Sequence, residues 1–238
     1  MKNNEMQKNN LSEAAFEETG TSSRPDVPQV VIKRLPRYFR YLRELIRNGK
    51  MRISSGELSK MMGVTASQIR QDLNCFGGFG QQGYGYNVKY LYAKISEILG
   101  VNCNFRAVIV GSGNLGRALV RNPMFSKRGV STIAMFDVDE AVIGSTVSGL
   151  TVLSMDKLEE FCEENVVDIA VLTVPKECAA DVTNRLVAAG ICGIWNFTGK
   201  ELDMNRSDDV KVVNVHLGDS LSTLCYELNI LKNSPKNE

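Results

Sequence analysis

The sequence predicts an α/β protein of two domains, a small helical one followed by a larger one built on a parallel sheet. Three observations carry this. The run from Val108 to Gly116 reads as a buried strand, a Gly-x-Gly-x-x-Gly turn and the start of a helix. From there to the C-terminus, apolar strand-like runs alternate with helical stretches, the pattern of a parallel sheet with right-handed crossovers. Charge is also divided. Residues 24–106 carry 14 Lys and Arg against five Asp and Glu, whereas residues 107–238 carry 12 against 18. A basic segment beside an acidic one points to a polyanion partner for the first alone.

The 238 residues suffice for two modest domains. No apolar run approaches the roughly 20 residues of a membrane span, and the polar N-terminus lacks a signal-peptide core, so a cytoplasmic protein without a membrane partner is expected. The six cysteines form no Cys-x-x-Cys pair, and His216 is the sole histidine. That spacing argues against a metal site and for reduced, mostly buried thiols.

Residues 1–24, rich in Asn, Glu, Ser and Thr, are expected to be a disordered tail. Residues 25–100 form the first domain. Pro36 suits the first turn of a helix whose apolar face is Tyr38, Tyr41, Leu42, Leu45 and Ile46. Asn48-Gly49 ends it, and Arg37, Arg40, Arg43 and Arg47 line the other face, by itself an ordinary solvated face. Ser54-Ser-Gly-Glu57 is a capping box that opens a short helix, broken at Gly63. Thr65-Ala-Ser-Gln68 is a second, opening a helix to about Phe76. Two short helices about a tight turn make a helix-turn-helix. The glycine- and aromatic-rich stretch 77–86 suits a β-hairpin wing, and Val88, Leu91, Ile95, Ile98 and Leu99 mark a helix ending at Gly100.

Residues 101–216 form the second domain. Strands are expected at 106–110, 131–136, 150–153, 167–173, 191–196 and 210–215, with helices at 114–121, 155–164 and 176–189. Residues 217–232 close the chain with a helix striped by Leu217, Leu221, Leu224, Leu228 and Leu231.

Each glycine of the turn has a task. Gly111 permits the tight turn, Gly113 lets the backbone approach a pyrophosphate, and Gly116 lets helix and strand pack closely. With Ser112, Asn114 and Leu115 they form the loop that leads into the helix N-terminus, where unpaired N–H groups favour phosphate. Asp137, at the end of the next strand, is the expected ribose-binding acid, with Val138 beside it. A carboxylate there would repel a 2′-phosphate, so the expected cofactors are NAD and NADH. Two later strand ends, Thr173-Val174-Pro175 and Asn196-Phe197, should line the same cleft, though Pro175 serves equally well as a strand stop.

In a helix-turn-helix, the second helix enters the major groove of double-stranded DNA. Ser67, Gln68, Arg70 and Gln71 are its candidates: Arg reads guanine and Gln reads adenine. Ile69 and Leu73 should point into the domain. Arg52, Ser54 and Lys60 are phosphate-contact candidates, and Gln82 and Tyr84 belong to the wing. Tyr84 and Tyr86 either meet the DNA backbone or pack beneath the glycine loop.

Eight motifs then occur in order: Arg34-Leu-Pro-x-Tyr38, Arg52-Ile-Ser-Ser55, Phe76-Gly-x-x-Gly80, Gly83-Tyr-Gly-Tyr-Asn-Val88, Gly111-x-Gly-Asn-Leu-Gly116, Phe136-Asp-Val-Asp139, Leu172-Thr-Val-Pro175 and Gly193-Ile-x-Asn-Phe197. The set resembles Rex, the bacterial family of redox-sensing transcriptional repressors, over about residues 27–231. The resemblance implies a homodimer with an N-terminal winged helix-turn-helix domain, a C-terminal Rossmann domain and a swapped terminal helix. It implies that NADH releases the protein from a pseudo-palindromic operator, whereas NAD⁺ permits DNA binding. Many members have Lys or Arg at the position of Gln71 and a basic residue at Gln81 or Gln82, so a shifted operator consensus is expected. His216 stands where several members have Asp, which alters an interdomain ion pair expected to involve Arg40. Two rival readings are a dehydrogenase using His216 and a thiol regulator using Cys75 or Cys103. The first lacks a substrate domain, so no catalytic residue is assigned.

Overall fold

The computed structural model describes residues 27–77, 79–81, 84–202 and 209–233. The expected tail, residues 1–24, and Gln82 of the wing lie outside the described residues. Contacts divide the chain into two compact units, with the division between Tyr92 and Ala93.

The first unit begins with α1 (Gln29–Arg47), which buries Val31, Leu35, Tyr38, Phe39, Leu42 and Leu45. Pro36 is therefore not at the first turn. It sits inside the helix, which starts seven residues earlier behind Pro28. A proline there removes one backbone hydrogen bond. The burial of Val31 and Leu35, a turn apart on the core face, outweighs that loss. Next come β1 (Arg52–Ile53), α2 (Ser55–Met62) and α3 (Ala66–Asn74). Gly63, at φ 63°, takes the left-handed conformation that turns α2 into the link to α3. Strands β2 (Gly80–Gln81) and β3 (Gly85–Asn87) pair antiparallel, and β3 also pairs with β1. This three-stranded sheet beside the helical pair is the winged helix. Helix α4 (Val88–Ile98) follows at once and carries the division between the units.

The second unit opens with β4 (Phe105–Val110), α5 (Asn114–Arg121) and β5 (Val130–Asp137). Then come β6 (Thr146–Val147), β7 (Leu150–Ser154), α6 (Leu158–Glu164), β8 (Ile169–Leu172), α7 (Ala179–Ala188), β9 (Gly193–Asn196) and β10 (Lys211–Asn214). The strands lie in the order β10-β9-β8-β4-β5-β7-β6, all parallel except the two-residue β6. Chain order runs one way from β4 through β5 to β7 and the other way from β8 to β10. The reversal falls between β4 and β8, where a doubly wound sheet opens a ligand crevice at its carboxyl edge. Both faces are covered. Val108, Val110, Phe136 and Leu172 pack on one side; Ile109, Met135 and Val171 pack on the other.

Helix α8 (Leu217–Asn233) ends the description, and none of its residues is buried within the chain. Leu221 is 62% exposed and Leu224 53%.

Candidate functional site

The glycine turn leaves β4 at the switch point. Gly111 takes φ 99°, and a Cβ there would lie 2.6 Å from the Thr173 carbonyl oxygen. A Cβ on Gly116 would collide with the Gly111 carbonyl and lie 2.9 Å from Thr173 Oγ1. Both glycines are thus demanded by the protein's own packing. Gly113 differs: its φ is an ordinary −70°, and among the described residues an added Cβ would meet nothing within 4 Å beyond its own chain neighbours. It stands at the N-cap of α5, where no side chain caps the helix and no acid occupies the first turn. The first-turn N–H groups of an α-helix have no intrahelical acceptor, so this end suits an anion.

Ser112 links the turn to Asp137. Its N–H donates to Asp137 Oδ2 at 2.5 Å and its hydroxyl to the same oxygen at 2.8 Å. The other oxygen, Oδ1, accepts from the backbone N–H of Val138 (2.8 Å) and Asp139 (3.1 Å). Burial alone would raise this carboxyl's pKa, but these donors override it and hold the group below the ordinary carboxylate range. Val138 follows, 78% exposed. Asn114 is exposed and Leu115 half-buried.

Sequence reasoning missed Arg117. Its Nε donates to the Ser112 carbonyl at 2.7 Å, so the loop is tied at both its N–H and its C=O. A cation one turn inside a phosphate-type helix start was the available signal.

Thr173 sits beneath the turn. Its N–H donates to Val110 at 2.8 Å, and its hydroxyl approaches the carbonyls of Val110 (3.0 Å) and Gly111 (2.8 Å). Val174 is half-buried, while Pro175 is exposed and starts the single turn that leads to α7. Phe197 packs edge-on to Trp195, with ring centroids 4.7 Å apart. Asn196 is only 1% exposed, and its amide is fully used inside the fold. Nδ2 donates to the Lys200 carbonyl (2.6 Å) and to Asn214 Oδ1 (2.7 Å). Oδ1 accepts from the Thr198 N–H (3.0 Å) and hydroxyl (2.7 Å). Asn214 in turn donates to Glu201 Oε1 at 3.0 Å, and Glu201 Oε2 lies 2.8 Å from His216 Nε2. His216 thus has Glu201 as its partner. Arg40 lies with its guanidinium 5.5 Å from the centroid of the Tyr41 ring.

In the first unit, α3 has two faces. Ile69, Asp72 and Leu73 are buried, while Ser67, Arg70, Gln71 and Asn74 are exposed at helical spacing. Arg70 Nη1 donates to Ser55 Oγ at 3.1 Å. Lys60 is exposed at the end of α2. The Ser54 hydroxyl caps α2, accepting from the Glu57 N–H at 3.1 Å while Glu57 returns to the Ser54 N–H at 2.9 Å. Lys50 and Ser54 together draw the Glu57 carboxyl down to about 2. The second capping box forms only by half. Thr65 Oγ1 accepts from the Gln68 N–H at 3.1 Å, but the Gln68 side chain turns to Asp72 instead of returning. In the wing, Tyr86 is buried, whereas Tyr84 is 69% exposed. Arg52 Nη1 donates to the Tyr84 carbonyl at 3.3 Å, with its guanidinium 5.8 Å from the centroid of that ring.

Comparison with known proteins divides the chain in the same way. Residues 26–74 match the family described as putative DNA-binding protein N-terminus, and residues 102–199 match the CoA binding domain family. The redox-sensing transcriptional repressor Rex of Caldicellulosiruptor saccharolyticus is 51% identical over 204 residues, spanning 86% of this chain and 92% of the relative. The Rex of Clostridium botulinum is 50% identical over 204 residues, 86% and 96% of the two chains. The crystal structure of RSP in complex with β-NAD⁺ and operator DNA superposes with a TM-score of 0.81 at 48% identity, covering 87% of this chain and 94% of that one. The RSP complex with β-NADH gives a TM-score of 0.81 at 45% identity, covering 90% and 99%. With half of all residues identical across more than four-fifths of its length, this chain belongs to the Rex family of redox-sensing transcriptional repressors.

Proposed function

We propose that this chain is a cytoplasmic, homodimeric repressor that holds a pseudo-palindromic DNA operator when NADH is scarce and leaves it when NADH binds. It acts as a regulator rather than an enzyme, as its named relatives do. The observation that carries the reading is the joining, in one chain, of an uncapped glycine-loop helix start and an exposed, polar α3 face. RSP, a Rex-family repressor 48% identical to this chain, has been crystallised with β-NAD⁺ and operator DNA together.

The residues fit a dinucleotide. Because no protein atom demands a glycine at 113, the requirement falls to a ligand that must come close to the backbone there. The first-turn N–H groups of α5 would hold the pyrophosphate, and Arg117 would keep the loop in shape for it. Asp137 would take the adenosine ribose. Its four acceptor positions are all used, but the Ser112 hydroxyl is a rotor and can yield its place to a ribose hydroxyl without moving backbone. Leu115, Val138, Thr173, Val174, Pro175 and Phe197 line the carboxyl edge around it. Asn196 acts indirectly, by fixing the loop after β9. When bound, NAD(H) supplies a nicotinamide ring whose charge depends on redox state. That ligand can move the DNA-binding equilibrium only by its difference in affinity for the two forms of the dimer. A hundredfold difference corresponds to about 2.7 kcal/mol, within the ordinary range of allosteric coupling.

On the DNA side, Ser67, Arg70 and Gln71 would face bases, with Gln68 at the edge of the face. Lys60, Arg52 and Tyr84 would meet the phosphate backbone, with Ser54 beside them. Helix α8 would pair with its counterpart in a second copy, since its leucines find no cover among the described residues of one chain. The deciding experiment titrates operator binding with NADH at fixed NAD⁺. Release by NADH is expected, and DNA that stays bound at saturating NADH refutes the reading.

A further inference from the structure

Asp72 lies on α3 but turns away from its exposed face, and its side chain has no solvent exposure. The carboxylate meets four donors. Arg34 on α1 gives Nε to Oδ2 and Nη2 to Oδ1, each at 2.7 Å. Tyr38, also on α1, gives its hydroxyl to Oδ2 at 2.9 Å. Gln68, one turn back on α3, gives Nε2 to Oδ1 at 2.9 Å. Burial alone would raise this carboxyl's pKa, but the hydrogen bonds of Arg34, Gln68 and Tyr38 bring it below its ordinary value. Burial and Asp72 in turn push the Tyr38 hydroxyl far up, so it remains a donor.

An ionised carboxylate can only accept. Gln68 must therefore turn its amide nitrogen, not its oxygen, toward Asp72. That contact uses one of the two N–H groups. The other N–H and Oε1 remain, in a single order along the amide edge. Adenine in the major groove offers an acceptor, N7, beside a donor, N6, and an amide edge in one fixed order matches this pattern bidentately. An amide free to flip would present both orders and discriminate less.

We infer that Asp72 is a specificity-determining positioning residue: it touches no base, but as a buried acceptor held by Arg34 and Tyr38 it sets the donor–acceptor order of the Gln68 amide that α3 offers to adenine. The inference rests on the reading of α3 as the DNA-reading helix. Asp72, Arg34 and Tyr38 would thus contribute to which base is chosen, in addition to holding α3 against α1.

The test uses the full chain and duplexes selected from a randomised pool with twofold symmetry. The unaltered protein is expected to prefer adenine at one position of each half-site by about tenfold, the worth of one bidentate pair. Gln68→Met and Asp72→Asn should each erase that preference, leave the other positions selected, and combine with no further loss. A second measurement keeps the native chain and alters the DNA. Replacing that adenine by 7-deazaadenine, which lacks N7, or by purine, which lacks the N6 amine, should each weaken binding about tenfold. If Asp72→Asn does not fold, Arg34→Leu with Asp72→Leu, which leaves no buried charge unpaired, takes its place and should be indifferent to both analogues. Retention of the preference by Gln68→Met, or by Asp72→Asn when Gln68→Met loses it, overturns the inference. So does indifference to either adenine analogue. Failure of the native chain to select any duplex refutes instead the DNA-binding reading on which the inference stands.

Discussion

The three glycines of the 111–116 turn make a sharp experiment, because one should be demanded by the ligand and two by the protein. In Gly116→Ala the new methyl collides with the Gly111 carbonyl, a backbone group that cannot swing aside. Relief requires α5 to move off the turn, at a cost of about 1–3 kcal/mol for overpacking. Gly111→Ala adds to a 2.6 Å approach to the Thr173 carbonyl a φ of 99°, where side chains are strained by a further ~1–3 kcal/mol. Gly113→Ala has neither problem: φ is −70°, and among the described residues nothing beyond its chain neighbours lies within 4 Å of the new methyl. Its stability should stay within about 0.5 kcal/mol of the parent. Its methyl projects instead where a pyrophosphate would meet the first-turn N–H groups, and loss of one or two charge-assisted hydrogen bonds, about 1.5–3 kcal/mol each, weakens NADH at least tenfold. Trp195 is the only tryptophan and packs in the second unit between Phe125 and Phe197, so its fluorescence reports urea unfolding of that unit. NADH fluorescence reports binding. The expected pattern is stable but weakly binding for Gly113→Ala, and unstable for Gly111→Ala and Gly116→Ala. If Gly113→Ala binds NADH within about twofold of the parent, the turn does not cradle a pyrophosphate and the site assignment fails.

Three further outcomes are expected. Asp137 is held below its ordinary pKa when folded, so its contribution to stability is present above about pH 4 and is lost as pH falls through the folded value. Trp195-monitored stability should decline with acid more steeply in the parent than in Asp137→Asn, and Asp137→Arg should narrow the preference for NADH over NADPH; equal preference in parent and variant counts against the ribose role. Arg34→Ala strands the buried Asp72 carboxylate and should cost about 3–5 kcal/mol, read by circular dichroism in urea, whereas a loss under ~1 kcal/mol means the pair is not buried as described. Removal of residues 217–238 should turn a dimer into a monomer in sedimentation and weaken operator binding, because the uncovered leucines of α8 are each worth about 1.5–3 kcal/mol when buried; an unchanged dimer places the interface elsewhere.

Legibility in the sequence followed the strength of the local signal. All six expected strands of the second unit appear within a few residues of their expected bounds, because runs such as Ala107–Val110 and Ala170–Leu172 are buried on both faces and have no polar alternative. Strand β6 was not legible, since two residues carry no period. Pro36 does not mark the start of α1, because proline is only a local signal and the deciding burial of Val31 and Leu35 is tertiary. The glycine turn was legible in full. The partners that tie it, Ser112 to Asp137 and Arg117 to Ser112, were not, because the first contact spans 25 residues and the second depends on which way a long helix side chain folds back onto the loop.

The polar candidates show why residue type at an element's end does not reveal a role. A side chain there can reach outward to a ligand or inward to the backbone, and the sequence permits both. The choice can be made by counting hydrogen-bond capacity. Asn196 has four places and the fold uses all four, so it shapes the loop after β9 and has nothing left for a ligand without breaking that loop. Asp137 is equally full, but one of its donors is a hydroxyl that can rotate, so it can exchange a partner at low cost. Gln68 uses one N–H on Asp72 and keeps an edge free. The ranking that follows differs from the one residue identity suggests: Gln68 and Asp137 remain able to contact a partner directly, while Asn196 must act through the backbone it holds. A ligand that displaced Asn196 from Asn214 would also disturb Glu201 and, through it, His216, the residue directly before α8. Conservative replacement of Asn196 by Asp would therefore alter the loop and its neighbours together, not remove a single ligand contact.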